Sequence, residues 1–283
     1  MISEEERQII KETLDHKANG TTHMLDDVMH NPVTKYNDPN QLGAEMDILF
    51  KNFPIIIAHS SDLPEAGSFL TYDDLQAPIL VTRNNDGQVK AFLNVCRHRG
   101  ARVEDKACGK ARTFSCPYHS WTFDLNGNLR GLPQPFGFGD LDKSKLGLVE
   151  LPAFEEFGMI WVVPSKTEQT IDFDAWTAPM REQLNGLDLG GHVVFKKWSL
   201  ERNMSWRLAL EGFQESYHFC SAHRDTACSS YLDNQSVHMN FYPHVRHAVP
   251  LPSIEELREK PEAEYAIRKK FGADAIIKGR SLR

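Results

Sequence analysis

Cys96-Arg97-His98-Arg99-Gly100 and Cys116-Pro117-Tyr118-His119-Ser120-Trp121 are the stretches on which the reading of this chain turns. They give Cys-x-His, then 17 residues, then Cys-x-x-His. Each stretch offers one thiolate and one imidazole, so two short loops can converge on a single inorganic centre. A tetrahedral zinc ion accepts two Cys and two His. So does a two-iron, two-sulfide cluster in which two His replace two Cys on one iron. Spacing alone leaves both open.

The residues around the loops set the fold. From about 41 to 164 the chain runs in short apolar pieces separated by turn residues, the pattern of a small all-β domain. Candidate strands are Ile79-Leu80-Val81-Thr82, Val89-Lys90-Ala91-Phe92, Ser120-Trp121-Thr122-Phe123 and Met159-Ile160-Trp161-Val162-Val163. Asp86-Gly87 and Asn126-Gly127 supply hairpin turns, because both dipeptides tolerate positive φ. Residues 1–40 are polar, open on a helix-compatible stretch and read as an N-terminal arm. Beyond Pro164-Ser165 the periodicity turns mixed, with helical candidates at 174–185, 203–220 and 253–271. Ser253 with Glu256 reads as a capping box.

The flanking residues separate the two metal readings. Cys-Arg-His-Arg-Gly and Cys-Pro-Tyr-His-Ser-Trp resemble the Rieske oxygenase family almost letter for letter. The resemblance takes in Asp86-Gly87 through Ala91-Phe92-Leu93-Asn94-Val95, and the Trp121-Thr122-Phe123-Asp124-Leu125-Asn126-Gly127 that follows. It implies an α+β chain: an arm (1–40), an all-β Rieske [2Fe-2S] domain (41–164) and a partial helix-grip catalytic domain (165–283). It also implies that Cys96, His98, Cys116 and His119 hold the cluster. Two neutral imidazoles in place of thiolates leave such a cluster less anionic and raise its potential, which suits a one-electron relay. Arg97 and Arg99 read equally as tuning charges or as solvated surface arginines. Cys108 reads as a loop thiol, and Cys220 and Cys228 as small hydrophobes.

The second informative block runs from Asn203-Met204-Ser205-Trp206 to Glu215-Ser216-Tyr217-His218, with His223 four residues beyond. On a continuous helix, at about 100° per residue, the two histidines point roughly 140° apart, so joint ligation requires a bend between them. The block resembles the mononuclear-iron motif of the same family, whose histidine ligands His218 and His223 match. There they form a facial triad with a carboxylate, leaving positions on Fe(II) open for O2 and substrate.

Glu215 matches the position of an Asp that, in that family, bridges a Rieske histidine and an iron-ligand histidine across a subunit boundary. A minority of members, including enzymes acting on quaternary amines such as carnitine, are similar in using Glu there. The plainer alternative is a solvated helix-face carboxylate. Gly212 falls where many relatives have Asn. The family's third ligand is an Asp much further beyond the second histidine, and neither Asp225, Asp233 nor Asp274 stands in matching surroundings. The chain also ends before the strands that complete the catalytic domain in relatives, so a truncated product or fragment is expected. His238, His244 and His247 read as surface or packing residues.

The resemblance therefore implies the oxygenase component of a multicomponent system. Its electrons come from NAD(P)H through a reductase, and in some systems a ferredoxin, and O2 is the co-substrate for hydroxylating an aromatic or quaternary-amine molecule. A homotrimer and an alpha3beta3 assembly are equally compatible. No Rossmann fingerprint is present, so the nicotinamide belongs to the partner. Two other readings remain: a Rieske electron carrier without a competent oxygen site, and a zinc-stabilised binding module.

Bulk properties agree with a globular chain acting on small molecules. Of 283 residues, 41% are hydrophobic and 25% charged, with net charge −7 and no Lys/Arg block, which gives nucleic acid and anionic membranes no electrostatic support. The acidic Met1-Ile2-Ser3-Glu4-Glu5-Glu6 lacks the apolar stretch of a secretory leader. Apolar runs such as Ile55-Ile56-Ile57-Ala58 are far below the roughly 20 residues of a membrane span. Five cysteines at irregular spacings argue against a disulfide framework and for a reducing, cytoplasmic setting.

Overall fold

The computed structural model describes residues 4–75, 77–166, 171–232 and 234–255. Glu256, Asp233, Asp274 and most of the helix expected at 253–271 lie outside them. The chain divides into two compact units, Asn37–Glu201, and Met1–Tyr36 together with Arg202–Arg283. No helix among the described residues is long and apolar enough to cross a membrane.

The 37–201 unit is built of short antiparallel strands. In chain order they are β1 (Ile55–His59), β2 (Ser68–Tyr72), β3 (Ile79–Arg83), β4 (Val89–Leu93), β5 (Cys108–Lys110) and β6 (Thr113–Ser115). There follow β7 (Thr122–Asp124), β8 (Leu129–Gly131), β9 (Glu150–Leu151), β10 (Ala153–Glu156) and β11 (Met159–Val162). They make a five-stranded sheet ordered β5-β2-β3-β4-β9 and two three-stranded sheets, β1-β11-β10 and β6-β7-β8.

Alternation along the central strands divides the interior into two cores, because successive strand side chains leave opposite faces. Phe69, Leu80 and Phe92 turn one way and join Phe114, Trp121 and Phe123. Leu70, Ile79, Val81 and Ala91 turn the other way and join Ile160 and Val162. The register sets Leu80 opposite Phe92, and Val81 opposite both Ala91 and Leu70, so each face is continuous across strands. With both faces covered, β3 opens on an uninterrupted apolar run, Ile79-Leu80-Val81. Burying each of the phenylalanines contributes about 2–3 kcal/mol.

The expected hairpin turns form at Gly87 (φ +78°) and Gly127 (φ +75°). At Gly127 a Cβ would stand 2.5 Å from the Phe92 ring, so no larger residue fits there without moving the core. The strand expected from Ser120 starts two residues later, at Thr122, because Ser120 takes φ +55° and closes a loop. The helix expected at 174–185 is broken into Phe173–Thr177 and Arg181–Gly186 by a turn at Ala178–Met180 that contains Pro179.

An ion pair ties β3 to β10. The Arg83 guanidinium donates to both Glu155 carboxylate oxygens at 2.8 Å and also to the Leu63 carbonyl. The Arg83 hydrogen bond, opposed by burial, holds the Glu155 carboxyl below its usual range. Because the folded-state value is depressed, the stabilisation is present above the ordinary carboxylate pKa and is lost as pH falls through the folded value. Glu155→Gln is expected to flatten the acid limb of the stability-versus-pH curve by about 1 kcal/mol, after allowing for solvent screening. Urea melts at a series of acid pH values check this.

In the second unit, the helix Glu4–Asn19 buries Ile9 and Leu14 and lies against a hairpin of β12 (Val237–Phe241) and β13 (His244–Ala248). The helix expected over 203–220 is two pieces, Trp206–Gly212 and Phe219–Ala222, joined by an irregular stretch. Ser205 caps the first piece, accepting from the Arg207 N–H at 3.3 Å.

Candidate metal centres

The two Cys/His loops are backbone twins. The Cys96 N–H donates to Ala101 O at 2.7 Å and its carbonyl accepts from Gly100 N–H at 2.9 Å. The Cys116 N–H donates to Trp121 O at 2.9 Å and its carbonyl accepts from Ser120 N–H at 2.9 Å. In both loops the residue four past the cysteine has positive φ: Gly100 at +74° and Ser120 at +55°. The first loop leaves β4 and the second joins β6 to β7, so each is anchored on a sheet.

These loops bring the sequence-predicted residues together in like pairs. The Cys96 and Cys116 thiols are both buried and near enough to influence each other electrostatically. The His98 and His119 rings meet edge to face at 4.6 Å and lie closer to solvent. His98 Nδ1 is buried and has no hydrogen-bond partner. A buried imidazole nitrogen without a partner is costly unless it is a ligand atom. Burial pushes the Cys96 thiol up and the Cys116 thiol adds to that, while the His98 and Arg99 backbone N–H groups pull it down. Those N–H groups point at the sulfur a metal would need as thiolate. Burial lowers the His98 pKa, and the charges of His119 and Arg99 add to this, so the ring is favoured in its neutral, ligating form.

This donor set fits a two-iron cluster: two thiols inside for one iron, two imidazoles outside for the other. Trp121 stacks on His98 at 4.9 Å and 5°, and Phe138 stands edge-on to both. Sequence reading missed this aromatic cover, which limits water at the imidazole side. Arg97 and Arg99 are both exposed.

Behind the first loop sits Asn94, fully buried. Its side-chain oxygen accepts from Val103 N–H at 3.2 Å and Glu104 N–H at 3.0 Å, and its amide donates to Glu104 O at 2.7 Å. Asn94→Ala leaves the buried Val103 amide unpaired, at an expected cost of about 2–4 kcal/mol. The check is a lower urea midpoint with unchanged slope.

In the other unit, His218 and His223 stand at the two ends of the one-turn helix Phe219–Ala222. The required bend is there, and the rings approach to 5.2 Å at 69°. The Glu215 carboxylate accepts from His218 Nδ1–H and from the His218 backbone N–H, the latter at 3.2 Å. That bond fixes the tautomer and leaves Nε2 with its lone pair available. Glu215 is thus not merely a solvated helix-face carboxylate. Phe219 packs edge-on against both rings and against Tyr231.

Two further histidines shape this segment. His238 and His247, neighbours across β12 and β13, stack at 4.5 Å and 10°. His238 Nε2 contacts Gln214 O at 2.7 Å and His247 Nδ1 contacts Phe213 O at 3.2 Å, which pins the backbone just ahead of Glu215. Only the hairpin register reveals the pair. Among the described residues no three of His, Cys, Asp or Glu gather closely enough to hold a single metal ion, so no third carboxylate joins His218 and His223 there.

One expectation is overturned. Cys220 and Cys228, read as small hydrophobes in a chain without disulfides, are bonded to each other across a sequence separation of 8. The helix Phe219–Ala222 and the turn after His223 fold the chain back on itself, which cysteine counting does not show.

Comparison with known proteins places the two parts of the chain in families. Residues 53–143 match the Rieske [2Fe-2S] domain, and residues 190–272 match the ring hydroxylating alpha subunit catalytic domain. The glycine betaine monooxygenase oxygenase subunit of Chromohalobacter salexigens is 32% identical over 192 residues, covering 68% of this chain and 42% of that one. The naphthalene 1,2-dioxygenase system large oxygenase component of Pseudomonas aeruginosa is 32% identical over 214 residues, covering 71% and 45%. The crystal structure of the quaternary ammonium Rieske monooxygenase CntA with L-carnitine superposes with a TM-score of 0.67 at 26% identity, covering 74% of this chain and 58% of that one. The chain spans less than half the length of these curated relatives. With a Rieske [2Fe-2S] domain at residues 53–143 and ring-hydroxylating alpha-subunit catalytic sequence at residues 190–272, the chain is a homologue of the Rieske oxygenase alpha subunits.

Proposed function

We propose that this protein is the oxygenase component of a Rieske non-haem iron oxygenase acting on a small molecule, with a quaternary amine as the favoured class and an aromatic ring as the other. The observation that carries the reading is the pairing of thiol with thiol and imidazole with imidazole, with His98 Nδ1 left unpartnered. The choice of quaternary amine is supported by Glu215 at a position where most relatives have Asp, and by likeness to a glycine betaine enzyme and a carnitine enzyme.

Cys96 and Cys116 would hold one iron of the cluster, and His98 and His119 the other. The group so held supplies single electrons, which a separate reductase draws from NAD(P)H, directly or through a ferredoxin. His218 and His223 would hold Fe(II), which supplies O2 activation. Glu215 keeps His218 in one tautomer and one orientation. Its side chain is 44% exposed, so a lone pair remains for a second imidazole. We assign that place to His119 of the partner subunit in a homotrimer or an alpha3beta3 assembly. Trp121 and Phe138 keep water from the His98 face.

Purified protein, made with ample iron and sulfide, should contain two acid-labile sulfides per chain and show the Rieske paramagnetic signal after reduction. With a reductase and carnitine or glycine betaine it should take up O2 in step with substrate loss. Zinc in place of sulfide overturns the cluster assignment. A second reading is favoured by the absence of a third carboxylate at His218 and His223 among the described residues: an electron carrier, which predicts the same signal, two irons per chain and no O2 uptake.

A further inference from the structure

We propose that Cys220 and Cys228 form a reversible thiol–disulfide site that fixes the position of His223, so that reduction loosens the mononuclear centre. The inference rests on the reading of His218 and His223 as metal ligands. His223 lies inside the loop that the disulfide closes. Its N–H donates to Phe219 O at 2.9 Å, and its carbonyl accepts from the N–H groups of Thr226, Ala227 and Cys228 at 3.0–3.1 Å. Both sides of His223 are therefore held by backbone that one cysteine ends on each flank. The helix carrying Cys220 is a single turn of four residues. A turn that short has no stability of its own, because nucleation costs more than one turn of hydrogen bonds returns. The cross-link adds to the Glu215 cap in holding the turn, and with it the angle between the two imidazoles.

The placement also makes the bond responsive. Cys220 and Cys228 are only half-buried, and Ser221 through Thr226 are exposed, so a small thiol or a dithiol protein can reach the sulfurs. Wherever thiols are present, an accessible disulfide of this kind exchanges with them. The exchange balances. A dithiol gives up two electrons and two protons as its two S–H groups become one S–S bond, while the Cys220–Cys228 S–S bond breaks into two thiols.

The test uses the full chain with its cluster. Alkylation followed by mass spectrometry should label Cys220 and Cys228 only after treatment with a trialkylphosphine. Equilibrium dialysis against cobalt(II) should then show binding about tenfold weaker after reduction, and in the Cys220→Ser/Cys228→Ser variant, than in the oxidised protein. His218→Ala serves as the blank. Free thiols before reduction overturn the proposal, and so do equal cobalt affinities above the blank in both redox states; the latter result leaves the metal reading standing. Cobalt binding no better than the blank in either state, with the disulfide confirmed, sinks the metal reading and the proposal with it.

Discussion

Cys116→Ser is expected to yield a protein with no acid-labile sulfide and two fewer irons per chain. The serine hydroxyl is neutral at working pH and replaces a thiolate that, in the proposed cluster, binds iron directly. Cys116 is 2% exposed and packed among Phe114, Trp121 and Phe123, so no outside ligand can take its place. Because a bound metal centre contributes its binding free energy to folding, the thermal midpoint should drop as well. Cys108→Ser is the control: Cys108 is exposed on the edge strand β5, and its loss should leave iron, sulfide and midpoint unchanged. Iron and sulfide analysis beside a thermal melt checks both arms. A zinc site would instead lose one zinc and no sulfide, so the variant also separates the two chemistries that Cys2His2 spacing leaves open.

Why the Cys/His loops were legible while their surroundings were not follows from range in sequence. Both loops are local: each cysteine and its histidine sit two or three residues apart on one turn, and the turn is encoded by Gly100 or closed by Ser120. The strands around the loops were legible for the same reason, since the apolar run Ile79-Leu80-Val81 bounded by turn residues needs no knowledge of the partner strand. What needed a second, distant segment was hidden. Asn94 looks like an ordinary strand-end residue until Val103 and Glu104 fold onto it. His238 and His247 have no motif, and only pairing across the hairpin stacks them beneath Phe213 and Gln214. The Cys220–Cys228 bond likewise required knowing that the chain reverses after His223. The block from 203 to 220 reads as one helix because its propensities are helical, yet Glu215 turns its carboxylate onto the His218 N–H and starts a new turn instead. A local side-chain bond of this kind competes with the helix ladder.

That same carboxylate carries the second large expected effect. Glu215→Ala should weaken metal binding at His218 and His223 by about ten- to a hundredfold, the usual cost of removing the group that orients a ligating imidazole. It should also slow substrate-dependent O2 uptake by more than the metal loss explains, because the proposed link to His119 of the partner subunit goes with it. Glu215→Gln separates the two roles. Its amide oxygen can still accept from His218 Nδ1–H, so most of the metal affinity should return. The negative charge that steadies a protonated imidazole does not return, so O2 uptake should stay low. Equilibrium dialysis against iron(II) reads the first quantity. Single-turnover O2 uptake after one-electron reduction of the cluster reads the second. If Glu215→Gln restores both together, the carboxylate is an orienting cap and nothing more; if Glu215→Ala leaves metal affinity unchanged, the cap itself is wrong. The geometry argues for both roles, since one oxygen is engaged by the His218 ring, the other only weakly by the backbone, and the side chain remains open to solvent.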